Sequence, residues 1–341
     1  MNDLIYAYRL RFRRKIAPAA RIGLIYSLVL VAITACADRV FSAEEKLATP
    51  KKNCLVTLGP NQLGALGILG KLAEVCAHGQ KRWVYTPQIQ QKEVLDLGYP
   101  PDLERLLRLK PSLVLVNGGP WAIWEQVPWM EQLGLPILNY LDFLEPRPLD
   151  RLAWAKVLGS TIGVGPTASA VVDEYSAVYK KLQQKAQHLS LEQRPLVLLG
   201  SLQGDTWVAP PGGQWMANLI SDAGGRYLWE DARQEVRLPW EQILRLGKKA
   251  QVWIPLNHWQ QRLEILAGDQ RYAYAKFMSG KIVNNNQRLN ALMANDFWES
   301  GLYHPHELLA ELQQILHPEW FTANNGNDEV AAPSFKWWRP L

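Results

Sequence analysis

The chain has 341 residues, 48% of them hydrophobic, with 37 Lys+Arg against 32 Asp+Glu. Residues 1–35 carry six of those basic residues and one acid, so the rest balances at 31 against 31 and offers no global field for nucleic acid, a partner class that is therefore excluded. Three cysteines exclude a disulfide-rich scaffold and a cysteine-rich metal site.

In chain order, a basic leader (Arg9, Arg11, Arg13, Arg14, Lys15, Arg21) runs into an apolar stretch from Ile22 to Ala35, shorter than the roughly 20 residues of a bilayer span. Residues 1–35 read as a signal peptide. The stretch closes on Ile33-Thr34-Ala35-Cys36, which resembles a lipobox, so that a lipid-modified Cys36 would open the mature chain. Ordinary cleavage after Ala35-Cys36-Ala37 or Phe41-Ser42-Ala43, and an uncleaved anchor, stand as alternatives; Arg13-Arg14 is a weak twin-arginine signal. Residues 36–52 read as a tether.

From residue 53 strand-like and amphipathic segments alternate. Strands are expected at 54–58, 73–77, 113–117 and 136–140, then at 196–200, 251–254 and 281–284. This is the pattern of an α/β protein with two lobes, each a parallel sheet with flanking helices, with a ligand cleft between them. Residues 53–165 form the first lobe and 191–321 the second. Residues 166–190 bridge them as a helix, with Ala168, Val171, Val172, Tyr175, Val178, Tyr179 and Leu182 at helical spacing and Pro166 in its first turn. At 1.5 Å per residue such a helix is about 36 Å long, a stiff connector that permits little lobe movement. Cys54 and Cys76 fall on predicted strands at positions that hold them apart, and read as buried thiols. Residues 322–341 read as a flexible tail, in which Trp337-Trp338 has no evident role.

One unit occurs twice. Glu104 opens a short amphipathic helix that runs through Lys110-Pro111 into Leu113-Val114-Leu115-Val116, and Glu241 opens another that runs through Gly247-Lys248-Lys249 into Val252-Trp253-Ile254. The apolar positions are those of any helix-to-strand unit; the glutamate in both copies sets the pair apart.

Of 15 tryptophans, several stand where predicted strands give way to loops. In open α/β sheets ligands bind beyond the carboxyl ends of the strands, so Trp83, Tyr85, Trp121, Trp124, Trp207 and Trp259 are the candidate ligand-binding residues. Trp154, Trp240, Trp253 and Trp320 read as core or helix packing. No catalytic set assembles: Ser201 and Thr57 lack a histidine at a recognisable spacing, and there is no phosphate loop or nucleophile elbow. His258, His304, His306 and His317 are of metal-ligating type, but Tyr303-His304-Pro305-His306-Glu307 opens a helix where such residues more often serve as local caps. No metal site and no resident cofactor are expected.

The segments Cys54-Leu55-Val56-Thr57-Leu58-Gly59-Pro60, Pro101-Asp102-Leu103-Glu104 with its Leu109-Lys110-Pro111 strand entry, and Leu133-Gly134-Leu135-Pro136 together resemble the vitamin B12/iron-siderophore class of periplasmic substrate-binding proteins of ABC importers. The block Asn284-Asn285-Asn286-Gln287-Arg288 through Asn295-Asp296-Phe297-Trp298-Glu299-Ser300-Gly301 to His317-Pro318 is similar to the carboxy-terminal signature of a lipoprotein branch. The resemblance spans roughly residues 53–321 and departs at Ser112, where the family usually has an acid, and in the second unit, which lacks the proline. It implies a membrane-anchored, monomeric receptor in the periplasm or at the cell surface that captures a ferric siderophore, a corrinoid or, less readily, haem. It further implies that Glu104 and Glu241 dock onto arginines of a permease dimer. The rival reading is a secreted α/β enzyme acting on a chelate or small molecule in the same cleft.

Overall fold

Short runs of Leu, Val and Ile bounded by turns form the strands in the computed structural model, which describes residues 53–116, 123–322 and 334–341. The leader, Cys36 and the tether lie outside the described residues. Strands β1 (Leu55–Thr57), β2 (Val75–His78), β3 (Leu95–Asp96), β4 (Leu113–Val116) and β5 (Ile137–Asn139) form a parallel sheet in the order β3-β2-β1-β4-β5. Helices α1 (Asn61–Ile68), α2 (Leu103–Leu109), α3 (Ile123–Gln132) and α4 (Pro148–Thr161) accompany it. The sequence then enters α5, Gly165–Gln187, with Pro166 in its first turn. Its 23 residues span about 34 Å.

The second sheet runs in the order β13-β12-β11-β6-β9. Its members are β6 (Leu196–Leu199), β9 (Arg226–Tyr227), β11 (Val252–Ile254), β12 (Lys281–Asn284) and β13 (Arg339–Pro340), the last antiparallel to β12. A three-stranded antiparallel sheet of β7 (Ser201–Gln203), β8 (Thr206–Ala209) and β10 (Val236–Pro239) stands beside it. Helices α6 (Trp215–Asp222), α7 (Trp240–Leu246), α8 (Arg262–Gly268), α9 (Pro305–Leu316) and α10 (Glu319–Thr322) complete the chain. Among the described residues no helix is long and apolar enough to cross a membrane.

The central strands β1, β4, β6 and β11 are buried on both faces, which is why they are almost wholly apolar rather than alternating with polar residues. Successive side chains still point to opposite faces. Leu55, Leu113 and Leu115 of the first sheet share one core with Val197, Leu199, Val252 and Ile254 of the second, together with Ala168, Val172 and Tyr179 of α5. The intervening residues belong to separate outer cores, Val56, Val114 and Val116 to one and Leu198 and Trp253 to the other. The two sheets therefore have a common hydrophobic interior threaded by the bridging helix.

Two expectations are corrected. Cys54 and Cys76 are not thiols but form a disulfide, because neighbouring parallel strands bring their Cα atoms to 5.2 Å. The bond ties the start of β1 to β2, and both residues are buried. The flexible tail is also wrong for residues 334–341. Trp337 and Trp338 are buried, their indoles donate to a Glu307 carboxylate oxygen at 2.8 Å and the Leu308 carbonyl at 3.2 Å, and β13 extends the second sheet. The Glu311 carboxylate accepts the backbone N–H groups of Lys336, Trp337 and Trp338. Two large indoles hiding their surface suffice to fix a short segment that has no periodicity of its own.

Candidate ligand crevice and docking glutamates

In each parallel sheet the chain runs outward from a central strand in both directions, and ligands of such sheets bind beyond the carboxyl ends where the direction reverses. In the first sheet that point lies at β1 and β4, and in the second at β6 and β11. Trp121, between β4 and α3 in sequence, lies outside the described residues, as does the Trp124 side chain.

After β1, the Gln62 side-chain oxygen accepts the Leu58 and Gly59 N–H groups at 2.9 and 3.2 Å, closing the turn into α1. After β2, Trp83 is 50% exposed with the Arg82 guanidinium 4.3 Å above its ring. Tyr85 is half-buried beneath the Arg288 guanidinium at 5.1 Å. After β11, Trp259 is half-buried with its ring against Trp253 and Tyr272, and its carbonyl accepts the amides of Asn284 and Asn286 at 2.8 and 2.9 Å. The amides hold this loop in one place.

Trp207 does not line a pocket. It is 0% exposed, packs against Trp253 and Phe277, and donates its indole N–H to the Leu199 carbonyl at 3.2 Å. It sits on β8 facing the sheet behind it, and is a core residue. Trp298, which sequence reasoning left out, is 40% exposed beside Phe297 and Trp215, with ring centroids 5.1 and 6.4 Å away. It directly precedes a residue at the junction of the two sheets.

That residue is Glu299, which is 1% exposed. Its carboxylate accepts the backbone N–H of Tyr85 at 2.8 Å, the backbone N–H of Thr86 at 2.9 Å and the Thr86 hydroxyl. The loop after β12 thereby grips the loop after β2. Loss of hydration on burial pushes the Glu299 carboxyl up to about 7, and those hydrogen bonds pull against the rise. Alongside, the Asn290 amide donates to the Val84 carbonyl at 2.8 Å. A second polar lock lies deeper, where the Tyr303 hydroxyl donates to Asp142 at 2.9 Å and meets the Tyr140 hydroxyl at 2.6 Å. Arg151, 3.0 Å away, balances the buried Asp142 charge.

A hydroxyl and a histidine do meet, contrary to the reading that Thr57 has no partner. Thr57 Oγ1 lies 2.7 Å from His78 Nδ1 because the two residues are paired in register on β1 and β2. Burial lowers the His78 pKa to about 4. Both are buried beyond the reach of a substrate, so the pair pins two strands and supplies no nucleophile. Ser201 is half-buried on β7. Among the described residues no group of three or more His, Cys, Asp or Glu could hold a metal ion. His304 Nδ1 lies 2.9 Å from the Ser300 carbonyl, His306 packs against Tyr175, and His317 stacks on Trp320. His258 is exposed.

Glu104 and Glu241 occupy the first turns of α2 and α7, where a carboxylate is favoured by the helix dipole. Asp102 caps α2 by accepting the Glu104 and Arg105 N–H groups. Both glutamates are exposed, and the Glu104 side chain reaches Arg108 one turn on. Ser112, at the departure from the family pattern, donates its hydroxyl to the Cys54 carbonyl at 3.0 Å, so it serves strand entry.

Residues 55–300 match the family model described as periplasmic binding protein. The chain belongs to this family. Its fold is similar to that of the vitamin B12 binding protein of Vibrio cholerae, with a TM-score of 0.55 and 16% identity over 77% of this chain and 97% of that one. It is also similar to the heme-binding protein of Roseiflexus sp. RS-1 in apo form, with a TM-score of 0.56 and 17% identity over 78% and 97%. A third similar structure is the V. cholerae siderophore binding protein with Fe3+-Desferal bound, with a TM-score of 0.54 and 15% identity over 77% and 99%. At these identities the likeness is one of fold. An uncharacterized lipoprotein of Methanocaldococcus jannaschii is 20% identical over 266 residues, 74% of this chain and 61% of the relative's length.

Proposed function

We propose that this binding protein is the receptor of an ABC importer, capturing a metal chelate in the crevice and delivering it to a two-fold permease. A ferric siderophore or a corrinoid is the favoured cargo. In this reading the protein works as a monomer outside the cytoplasm, anchored to the membrane by lipid on Cys36. Family membership supports the binding role, and the neighbours named for vitamin B12, heme and a siderophore support a chelate. The observation that carries the delivery step is the repeated placement of Glu104 and Glu241, each exposed in the first turn of a short helix that leads into a central strand. Two outward carboxylates on a rigid body suit two equivalent basic sites on a permease dimer.

Reversing both charges, Glu104→Lys with Glu241→Lys, is expected to abolish chelate uptake by cells while leaving solution affinity within about twofold, less than 0.5 kcal/mol. Uptake assays paired with titrations of the purified protein separate the two effects. A parallel loss of affinity would move these residues into the ligand site. For the anchor, wild-type protein is expected in the membrane fraction with fatty-acid label, and Cys36→Ser is expected to lose the label. Membrane attachment with an intact amino terminus would favour an uncleaved anchor.

A further inference from the structure

A cluster of positive charge lies at the edge of the second sheet opposite the crevice. Where β11 and β12 begin, a cavity of about 880 Å³ opens between the second sheet and the end of α9. Lys248, Lys249, Arg262, Lys276 and Lys281 line it, and no Asp or Glu side chain does. These cations come from four segments: the turn after α7, the first turn of α8, the turn before Gly280, and β12. An adjoining cavity shares Lys248 and Lys249 and adds Arg226 and Arg245 against the single acid Glu230. In a chain whose charges balance beyond the leader, this is a local excess.

All five are exposed, and two of them are tethered to the wall. Arg262 donates to the Gly280 carbonyl at 3.1 Å, and Lys281 donates to the Ile315 carbonyl at 2.8 Å near the carboxyl end of α9. Lys248, Lys249 and Lys276 pair with no carboxylate among the described residues. Between the cations the lining is mixed, with apolar Ile315, Phe335 and Pro318 beside polar Gln251, Ser279 and Gln314. The volume lies within the roughly 300–1,000 Å³ of ordinary ligand sites.

We propose that this cavity is a second binding site, for a free organic anion with an apolar body, such as an alkyl phosphate or a long-chain carboxylate. The cations would neutralise its head while the apolar lining takes the chain. It lies at the amino edge of strands whose carboxyl edge faces the crevice, about 13 Å away along four residues.

Calorimetric titration of the purified protein with dodecyl phosphate tests this, with inorganic phosphate and dodecanol as controls. Saturable one-to-one binding is expected, with each control at least tenfold weaker. Lys248→Glu with Lys249→Glu should weaken dodecyl phosphate at least tenfold with near-UV circular dichroism unchanged, and Lys276→Glu should do so independently. Chelate titration at the crevice should be unaffected in both variants, which keeps this outcome separate from the fate of the importer reading. Absence of saturable binding, equal binding by the variants, or binding only to phosphatidylglycerol vesicles would overturn the proposal.

Discussion

Glu299 shows how one side chain is held between opposing effects. Removal from water favours the neutral acid, whereas three donors favour the carboxylate, and a shift from 4.5 up to about 7 means that desolvation wins. A carboxyl whose folded pKa is raised contributes stability that is complete below its unfolded value and is lost as pH rises through the folded one. Wild-type protein is therefore expected to lose on the order of 3 kcal/mol relative to Glu299→Gln between pH 4.5 and 7.5. Urea denaturation of both proteins across that range measures the difference; a difference that does not change with pH would show that the carboxyl titrates normally. Gly64 belongs to the same junction. A Cβ there would stand 2.2 Å from the Glu299 carbonyl oxygen, so backbone meets backbone with no room for a methyl group. Gly64→Ala is expected to destabilise by about 1–3 kcal/mol, because α1 and the 299 loop must part, and the same denaturation experiment reads it.

At the scale of elements, the disulfide closes a loop with a sequence separation of 22 between strands that are already neighbours. Chain-entropy reasoning gives about 3 kcal/mol for such a cross-link, so reductant should lower the unfolding free energy by that amount without changing the helix content seen by circular dichroism. This pairing was hard to see in the sequence because it depends on the register of β1 against β2. The parallel strands were legible, since apolar runs such as Leu113–Val116 and Leu196–Leu199 admit few other structures. Two-residue strands such as β3 and β9 carry too little pattern to register. The hairpin of β7 and β8 is not among the expected strands, although Gly204-Asp205, with Gly204 at φ +63°, is a hairpin-turn dipeptide; strands of three and four residues carry too little pattern to show which way Trp207 faces. The candidate site divides the same way. Exposed Trp83 and the glutamates on helix starts follow from local pattern, whereas the grip of Glu299 on Tyr85 and Thr86 joins residues more than 200 positions apart and leaves no local trace.

For the whole molecule, the common core and the two polar locks limit how far the lobes can move. Small-angle scattering is expected to show a change in radius of gyration below about 0.5 Å on ligand saturation, in contrast with the large closures of hinged receptors. Ligand identity can be read from the aromatic walls. A panel of corrinoids, ferric siderophores and haem should include one member that quenches tryptophan emission saturably with a submicromolar Kd, a free energy beyond about 8 kcal/mol. Trp83→Ala should weaken that ligand by about 1–3 kcal/mol if its exposed ring stacks on the chelate. Silence across the panel in folded protein would end the chelate reading. The shared interior also bears on how the chain is made. Leu55 near the first described residue and Trp337-Trp338 near the last belong to one hydrophobic cluster, so the two ends of the described fold share one interior. Removing residues 334–341 is therefore expected to uncover the face of α9 that Trp337 and Trp338 cover and to speed cleavage in limited proteolysis, with an unchanged cleavage rate showing that the segment is dispensable.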